Sequence, residues 1–420
     1  MARNSNQKPL DKIFDDFLSG PKIFKNREVM RATYIPEDLP HRETQITEIG
    51  RKLLPILEGG STSNIFLYGK TGTGKTAVAL YVLKKIVAKC SEIGVDIPLR
   101  EVINCKDIDT DYRIFAQLAG AVGVDVPFTG WPTDKVFKIF KEKLDEKRQT
   151  IIIVLDEIDQ LVKKSSMKGP QKVLYLLTRI NSDLRNANVC IIGISNDLKF
   201  KEYLDPRVLS SLSEEELVFP PYQATELQDI LRQRAEIGFH DGVIDSGTIE
   251  ITAALAAREH GDARRAIDLL RVAGELAERE SATKVTQNHV RRAQTLIEHD
   301  TISAALRTLP IHSKLVLYSI YLLEKDGNTE IYTGDVYTAY SQLCTEIKYD
   351  ILTQRRVSDL INELDMLGII TAHVISKGRY GRTKKIRVSI PKTILTSILE
   401  EDTAIQKLKN YSLELKKEAS

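Results

Sequence analysis

The chain has 420 residues, with 60 Lys and Arg against 58 Asp and Glu, for a formal net charge of +2. That length suits two or three domains with buried cores, and so even a balance leaves any charged binding surface to local distribution. Four scattered cysteines without a C-x-x-C, histidines without metal spacing, a polar N-terminus and no apolar run of bilayer length argue against a disulfide scaffold, a zinc centre, a secretory signal or a membrane span. The expectation is a soluble cytoplasmic protein.

From about residue 60 to 220, apolar runs alternate with helical patterns, which predicts a parallel α/β sheet. Strands are expected at 65–68, 101–104, 151–155, 189–194 and 216–219. After the first of them, Gly69-Lys70-Thr71-Gly72-Thr73-Gly74-Lys75-Thr76 matches G-x-x-x-x-G-K-[ST] in full, and Ala77 opens a helical run. Such a loop turns backbone N–H groups around phosphates, and the helix start adds its dipole. Gly69, Thr71, Gly72, Thr73, Gly74, Lys75, Thr76 and Ala77 are the expected phosphate contacts. Lys75 would reach the β- and γ-phosphates, and Thr76 would place its hydroxyl on Mg²⁺.

The third run, Ile151-Ile152-Ile153-Val154-Leu155, is apolar at every position, as a strand buried on both faces requires, and ends in Asp156-Glu157. Asp156 would hold Mg²⁺ through its water shell, and Glu157 would orient or activate the attacking water. The fourth run ends in Ser195-Asn196-Asp197. An amide there could bond the γ-phosphate and the water, although asparagine is also an ordinary turn residue. Pro220-Pro221 closes the sheet region, and residues 225–299 read as helical throughout. Arg207 precedes the last strand, and Arg264 and Arg265 open a later helix; either setting also suits a surface ion pair.

Beyond residue 300, helices are expected at 311–325 and 334–347, with a third starting after Thr353. Val357, Leu360, Ile361 and Leu364 keep i, i+3, i+4, i+7 spacing, so Gln354, Arg355, Arg356, Ser358, Asp359 and Asn362 face outward until Gly368 stops the helix. Strands at 369–375 and 385–390 flank Ser376-Lys377-Gly378-Arg379-Tyr380-Gly381-Arg382-Thr383-Lys384. No acidic residue lies between Met366 and Leu399. Three helices followed by a basic hairpin is the winged-helix plan. Gln354, Arg355, Arg356 and Ser358 would enter the major groove, and Lys377, Arg379, Tyr380, Arg382 and Lys384 would track the backbone of double-stranded DNA.

Phosphate loop, Asp-Glu strand, Asn-ended strand and arginines in a helical lid, in that order, resemble the AAA+ ATPases. The resemblance assigns Asn196 as first sensor, Arg207 as inter-subunit finger and Arg264, rather than Arg265, as second sensor through a G-x-x-R match. Tyr34-Ile35-Pro36-Glu37-Asp38-Leu39-Pro40-His41-Arg42-Glu43 ahead of the phosphate loop is similar to the archaeal origin-recognition and cell-division-control initiators. It implies that Tyr34, Pro40, His41 and Arg42 contact the base or ribose, and that the segment 107–122 holds an extra DNA-contacting helix. The implied architecture is a nucleotide-binding domain (1–222), a helical lid (223–300) and a winged helix (301–420). The implied function is an ATP- or ADP-bound, Mg²⁺-dependent, nucleoid-associated replication initiator. It would bind origin DNA, assemble with itself or a paralogue, recruit the replicative helicase and hydrolyse ATP slowly. A helicase loader or transposition helper, and an ATP-binding transcription regulator, remain alternative readings.

Overall fold

The computed structural model describes residues 20–108, 110–127, 129–165, 172–212, 214–376, 382–409, 411 and 413, with the backbone alone at 163–165, 211, 214, 376 and 382. The chain divides into two compact units, the first ending at Ala293 and the second starting at Gln294. The first unit holds both the sheet region and the helical lid. The division falls within the helix Gln287–Thr308.

In the first unit, β1 (Asn64–Tyr68), β2 (Leu99–Asn104), β3 (Thr150–Asp156), β4 (Asn188–Ser195) and β5 (Glu214–Val218) form a parallel sheet in the order β2-β3-β4-β1-β5. Each expected strand is present, its ends shifted by a residue or two. Successive side chains in a strand point to opposite faces. Ile151, Ile153 and Leu155 accordingly pack with Phe66 and Phe140, while Ile152 and Val154 pack with Val78 and Leu83. The helix Lys75–Ile93 covers the second face; Asp111–Ala121, Thr133–Lys147 and Lys172–Arg179 cover the first. Asp111–Ala121 occupies the segment assigned to an extra helix, and Thr110 caps it by accepting from the Arg113 N–H.

The lid consists of Ala224–Gly238, Thr248–Arg258, Ala263–Arg279 and the start of Gln287–Thr308. The N-terminal strap fastens to it. Ile23 and Phe24 N–H groups donate to Glu278 Oε1, Lys25 and Asn26 N–H groups donate to the Gly238 carbonyl, and the Phe24 ring lies 4.7 Å from Phe239.

The second unit has helices Ile311–Lys325, Thr333–Ile347 and Gln354–Met366 around a core that includes Leu315, Tyr340, Ile361 and Leu364. Its antiparallel sheet runs β6 (Ile331–Tyr332), β8 (Arg382–Val388), β7 (Ile370–Ser376). Two features differ from expectation. β6 is only two residues long, too short to show alternation. β8 begins at Arg382 rather than residue 385, because its charged residues pair in register with β7, Lys384 opposite Val374. Helices Lys392–Leu399 and Thr403–Gln406 follow beyond the last expected strand; the first buries Ile394, Leu395, Ile398 and Leu399.

Gly193 in β4 tests the packing of the sheet. A Cβ there would lie 2.5 Å from the Phe66 ring and 3.2 Å from Ile158. Gly193→Ala is expected to destabilise the first unit by about 1–3 kcal/mol through overpacking. Chemical denaturation followed by a probe in that unit should show the earlier transition, and an unchanged midpoint would contradict the tight Phe66 contact.

Candidate nucleotide site and nucleic-acid interface

The phosphate loop connects β1 to the helix Lys75–Ile93, and two of its glycines show why no larger residue fits. Gly72 has φ of 68°, and a Cβ on it would overlap the Asp262 carboxylate; Gly74 has φ of 89°, and its Cβ would lie 2.8 Å from the Tyr222 hydroxyl. The buried Lys75 ammonium donates to the carbonyls of Gly69 and Lys70, both at 2.7 Å, and to Asn196 Oδ1 at 3.0 Å. The Thr76 hydroxyl donates to Asp156 Oδ2 at 2.8 Å. A hydroxyl and a carboxylate thus converge beside the loop, a donor set suited to a hard cation such as Mg²⁺. Among the described residues, no cluster of three or more His, Cys, Asp or Glu forms a further metal site.

Glu157 follows Asp156 with φ of 53°, a left-handed conformation that is costly for a residue with a Cβ, and its N–H donates to Asp156 Oδ1 at 2.9 Å. Asn196 is set by Asp159, which is 4% exposed and accepts from the Ser195 hydroxyl at 3.2 Å and from the Asn196 N–H at 3.4 Å. Phosphate-loop lysine, strand-end carboxylates and Asn196 are therefore gathered at one end of the sheet.

An adjoining cavity of about 390 Å³ is lined at one end by Gly72, Gly74, Thr76 and Ala77, and at the other by Tyr34, Ile35, Pro36, Leu39, Leu80, Ile230 and Ile267. A phosphate cradle that opens into an apolar slot suits a nucleotide with its base in the slot. Tyr34 and Pro40 line this cavity. His41 and Arg42 are not among its lining residues. The His41 ring pairs with Asp229 at 3.0 Å, and the buried Arg42 guanidinium is committed to three carbonyls behind the wall. Arg264 also lines the cavity, whereas Arg265 turns to Glu259 at 2.8 Å. Arg207 lies apart, exposed at the start of the helix Pro206–Ser211, with its guanidinium on both oxygens of Asp205.

In the second unit, Thr353 caps the helix Gln354–Met366 by accepting from the Arg356 N–H. Gln354, Arg355 and Arg356 are exposed and Ser358 is half-buried. A groove of about 680 Å³ beside this helix is lined by Gln354, Arg355, Ser358, Val374, Thr383 and Lys384. Lys384 reaches across it to Asn362. Lys377, Arg379 and Tyr380 lie outside the described residues, as does the Arg382 side chain.

Residues 65–221 match the ATPase family associated with various cellular activities, 228–295 the Cdc6 AAA+ ATPase-type lid domain, and 304–397 the CDC6 C-terminal winged helix domain. The chain is 55% identical to the ORC1-type DNA replication protein of Pyrococcus furiosus over 420 residues, covering 98% of each chain. The chain belongs to the archaeal ORC1-type DNA replication protein family. It is 52% identical to ORC1-type DNA replication protein 1 of Archaeoglobus fulgidus over 408 residues, covering 97% of this chain and 98% of that one. The structure of the Aeropyrum pernix ORC1 protein in complex with DNA superimposes with a TM-score of 0.81 at 46% identity, covering 92% of this chain and 99% of that one. This ORC1-type chain is thus a replication initiator built from an AAA+ ATPase domain, its lid and a winged helix. No helix among its described residues is long and apolar enough to cross a membrane.

Three site residues of this ORC1-type chain escaped the sequence reading. Tyr222 and Arg234 line the cavity, and Asp262 caps the lid helix through the Arg264 and Arg265 N–H groups. Arg234 did leave a signal: it occupies the i+7 position of the apolar stripe begun by Leu227, Ile230 and Leu231. Tyr222, after two prolines, left none.

Burial pushes the Lys75 ammonium down to about 8, with Asp156 partly opposing. Above that pH the free site holds the amine neutral, whereas a phosphate alongside would restore its charge. Binding should therefore take up a proton between about pH 8 and the ordinary lysine value near 10. Titration calorimetry with ADP in buffers of different ionisation enthalpy should show that uptake, and affinity should weaken as pH rises. Proton-neutral binding across this window would contradict an ammonium–phosphate contact.

Proposed function

We propose that this chain binds ATP in the cavity beside the phosphate loop and binds origin DNA through the winged helix, coupling the two in replication initiation. The observation that carries the DNA reading is the groove in which Gln354, Arg355, Ser358 and Lys384 share one concave face. The DNA complex of the Aeropyrum pernix ORC1 protein supports it. Phosphate contacts would hold the register and outward residues of Gln354–Met366 would meet base edges.

Within the ATP site each side chain has a distinct task. Lys75 and Arg264 offset negative charge on the phosphates, Asn196 holds the γ-phosphate and the attacking water, and Glu157 orients that water. Thr76 and Asp156 would hold Mg²⁺, which supplies charge neutralisation across the β- and γ-phosphates. Arg207, exposed and remote from its own cavity, suits the site of a neighbouring copy or paralogue, so that assembly on DNA completes the catalytic set. Turnover would then be a slow switch governing assembly and recruitment of the replicative helicase.

Glu157→Gln should retain ATP binding and lose turnover, as read by nucleotide titration beside phosphate release; unimpaired release would remove Glu157 from the mechanism. For DNA, sheared host genomic fragments would be captured with ATP over a series of salt concentrations. Enrichment of a few intergenic sites sharing a repeated element is expected, and uniform recovery would favour the helicase-loader reading. Neutralising about five phosphates gives a log–log salt slope of about −4.5, and Arg355→Ala with Arg356→Ala should reduce its magnitude by about 1.8. An unchanged slope would exclude those two arginines from the contact.

A further inference from the structure

Arg42 is 2% exposed, yet none of its partners is a carboxylate side chain within ion-pair distance among the described residues. Its Nε donates to the Thr73 carbonyl at 2.9 Å, Nη1 to the His41 carbonyl at 2.8 Å and Nη2 to the Pro220 carbonyl at 2.8 Å. Its flat face lies 3.7 Å from the centre of the Tyr222 ring. Those three carbonyls belong to three separate segments whose neighbouring residues line one cavity: the N-terminal box, the phosphate loop and the link from β5 to the lid.

The contact with Thr73 has a consequence for the loop. The Thr73 carbonyl and the Gly74 N–H share one planar trans peptide and point in opposite directions. An oxygen pinned by Arg42 behind the loop therefore turns the Gly74 N–H to the other side, where Gly74 and Thr76 line the cavity. Tyr222, stacked on the same guanidinium, holds its hydroxyl against Gly74 and donates its N–H to the Gly261 carbonyl at 3.2 Å. Two residues on, the Ala263 N–H donates to the Gly72 carbonyl at 3.1 Å. The lid helix thus starts from a point referenced to the same loop.

We propose that Arg42 is the positioning residue of the phosphate site: it orients the Thr73–Gly74 peptide for phosphate and references the lid to the loop, without touching the nucleotide. The role needs a planar fork with three directed donors and a stackable face. A lysine, a point charge on a flexible stem, offers neither. The inference rests on the reading of this cavity as the nucleotide site, and it predicts a loss confined to the phosphate part of the ligand.

The test uses the full chain and its Arg42→Lys variant, titrated with ADP by calorimetry and with adenosine by saturation-transfer NMR. ADP affinity should fall by about tenfold or more, the scale of a misdirected bond to a charged group, with adenosine binding within about twofold of the parent. Unchanged ADP affinity would overturn the proposal. Parallel loss of ADP and adenosine would also overturn it, since that outcome reports general damage to the fold. Arg42→Gln, which keeps a donor and loses the charge, should fall with Arg42→Lys, and parent-like ADP affinity in Arg42→Gln would equally refute the need for the fork. Failure of the parent chain to bind ADP would remove the nucleotide reading itself, a result distinct from parent binding with an indifferent Arg42→Lys.

Discussion

The hydrogen-bonded ladder that seats β4 between β1 and β3 is the interaction on which the rest of the site depends. Tyr68 lies opposite Ser195, and Leu155 lies opposite Gly193, so the ends of β1, β3 and β4 stop near one line. The phosphate loop, Asp156-Glu157 and Asn196 leave from those three ends. Only in this register can Lys75 reach Asn196 and Thr76 reach Asp156. A slip of one residue would turn every side chain of a strand to the opposite face and expose the apolar run that drives its burial. Hydrophobic burial of β3 and chemical alignment of the site are therefore one constraint: Ile151–Leu155 is wholly buried, and Asp156 is the first residue of that strand past the core.

Much of this was legible in the chain because its signals are short-range. A phosphate loop is a contiguous string, a doubly buried strand is a contiguous apolar run, and the capped helix at Thr353 shows its periodicity within three turns. The cavity walls were less legible, because they come together only in three dimensions. The resemblance marks Arg42 as a site residue, but its partners Thr73, Pro220 and Tyr222 come to it from positions far along the chain. Likewise, the G-x-x-R match favours Arg264 over its neighbour without showing that the Glu259 carboxylate engages Arg265. In the winged helix the charge pattern was plain, yet the start of β8 was not, since lysines in a short hairpin strand carry no apolar alternation.

Two buried arginines give the first unit its electrostatic character. Arg42 and Arg234 both satisfy their donors with backbone carbonyls, Arg234 through Val29 and Tyr34, and burial lowers both guanidinium pKa values without removing the charge. Carbonyl dipoles solvate a cation without cancelling it, unlike a carboxylate at ion-pair distance. Lys75 and Arg264 add two more cations beside the cavity, with Asp156 and Asp262 as their acidic neighbours.

The strap before the phosphate loop has a mechanical consequence. Residues 23–26 are fastened to lid helices, while Arg42 is fastened to the loop and the sheet end, so the chain passes between lid and core twice, here and again through residues 220–223. A body held at one point can swivel in any direction; one pinned at two points turns only about the line that joins them. The Ala263–Gly72 bond ties the lid to the loop a third time, and three ties hold Arg264 at the cavity wall like the legs of a tripod.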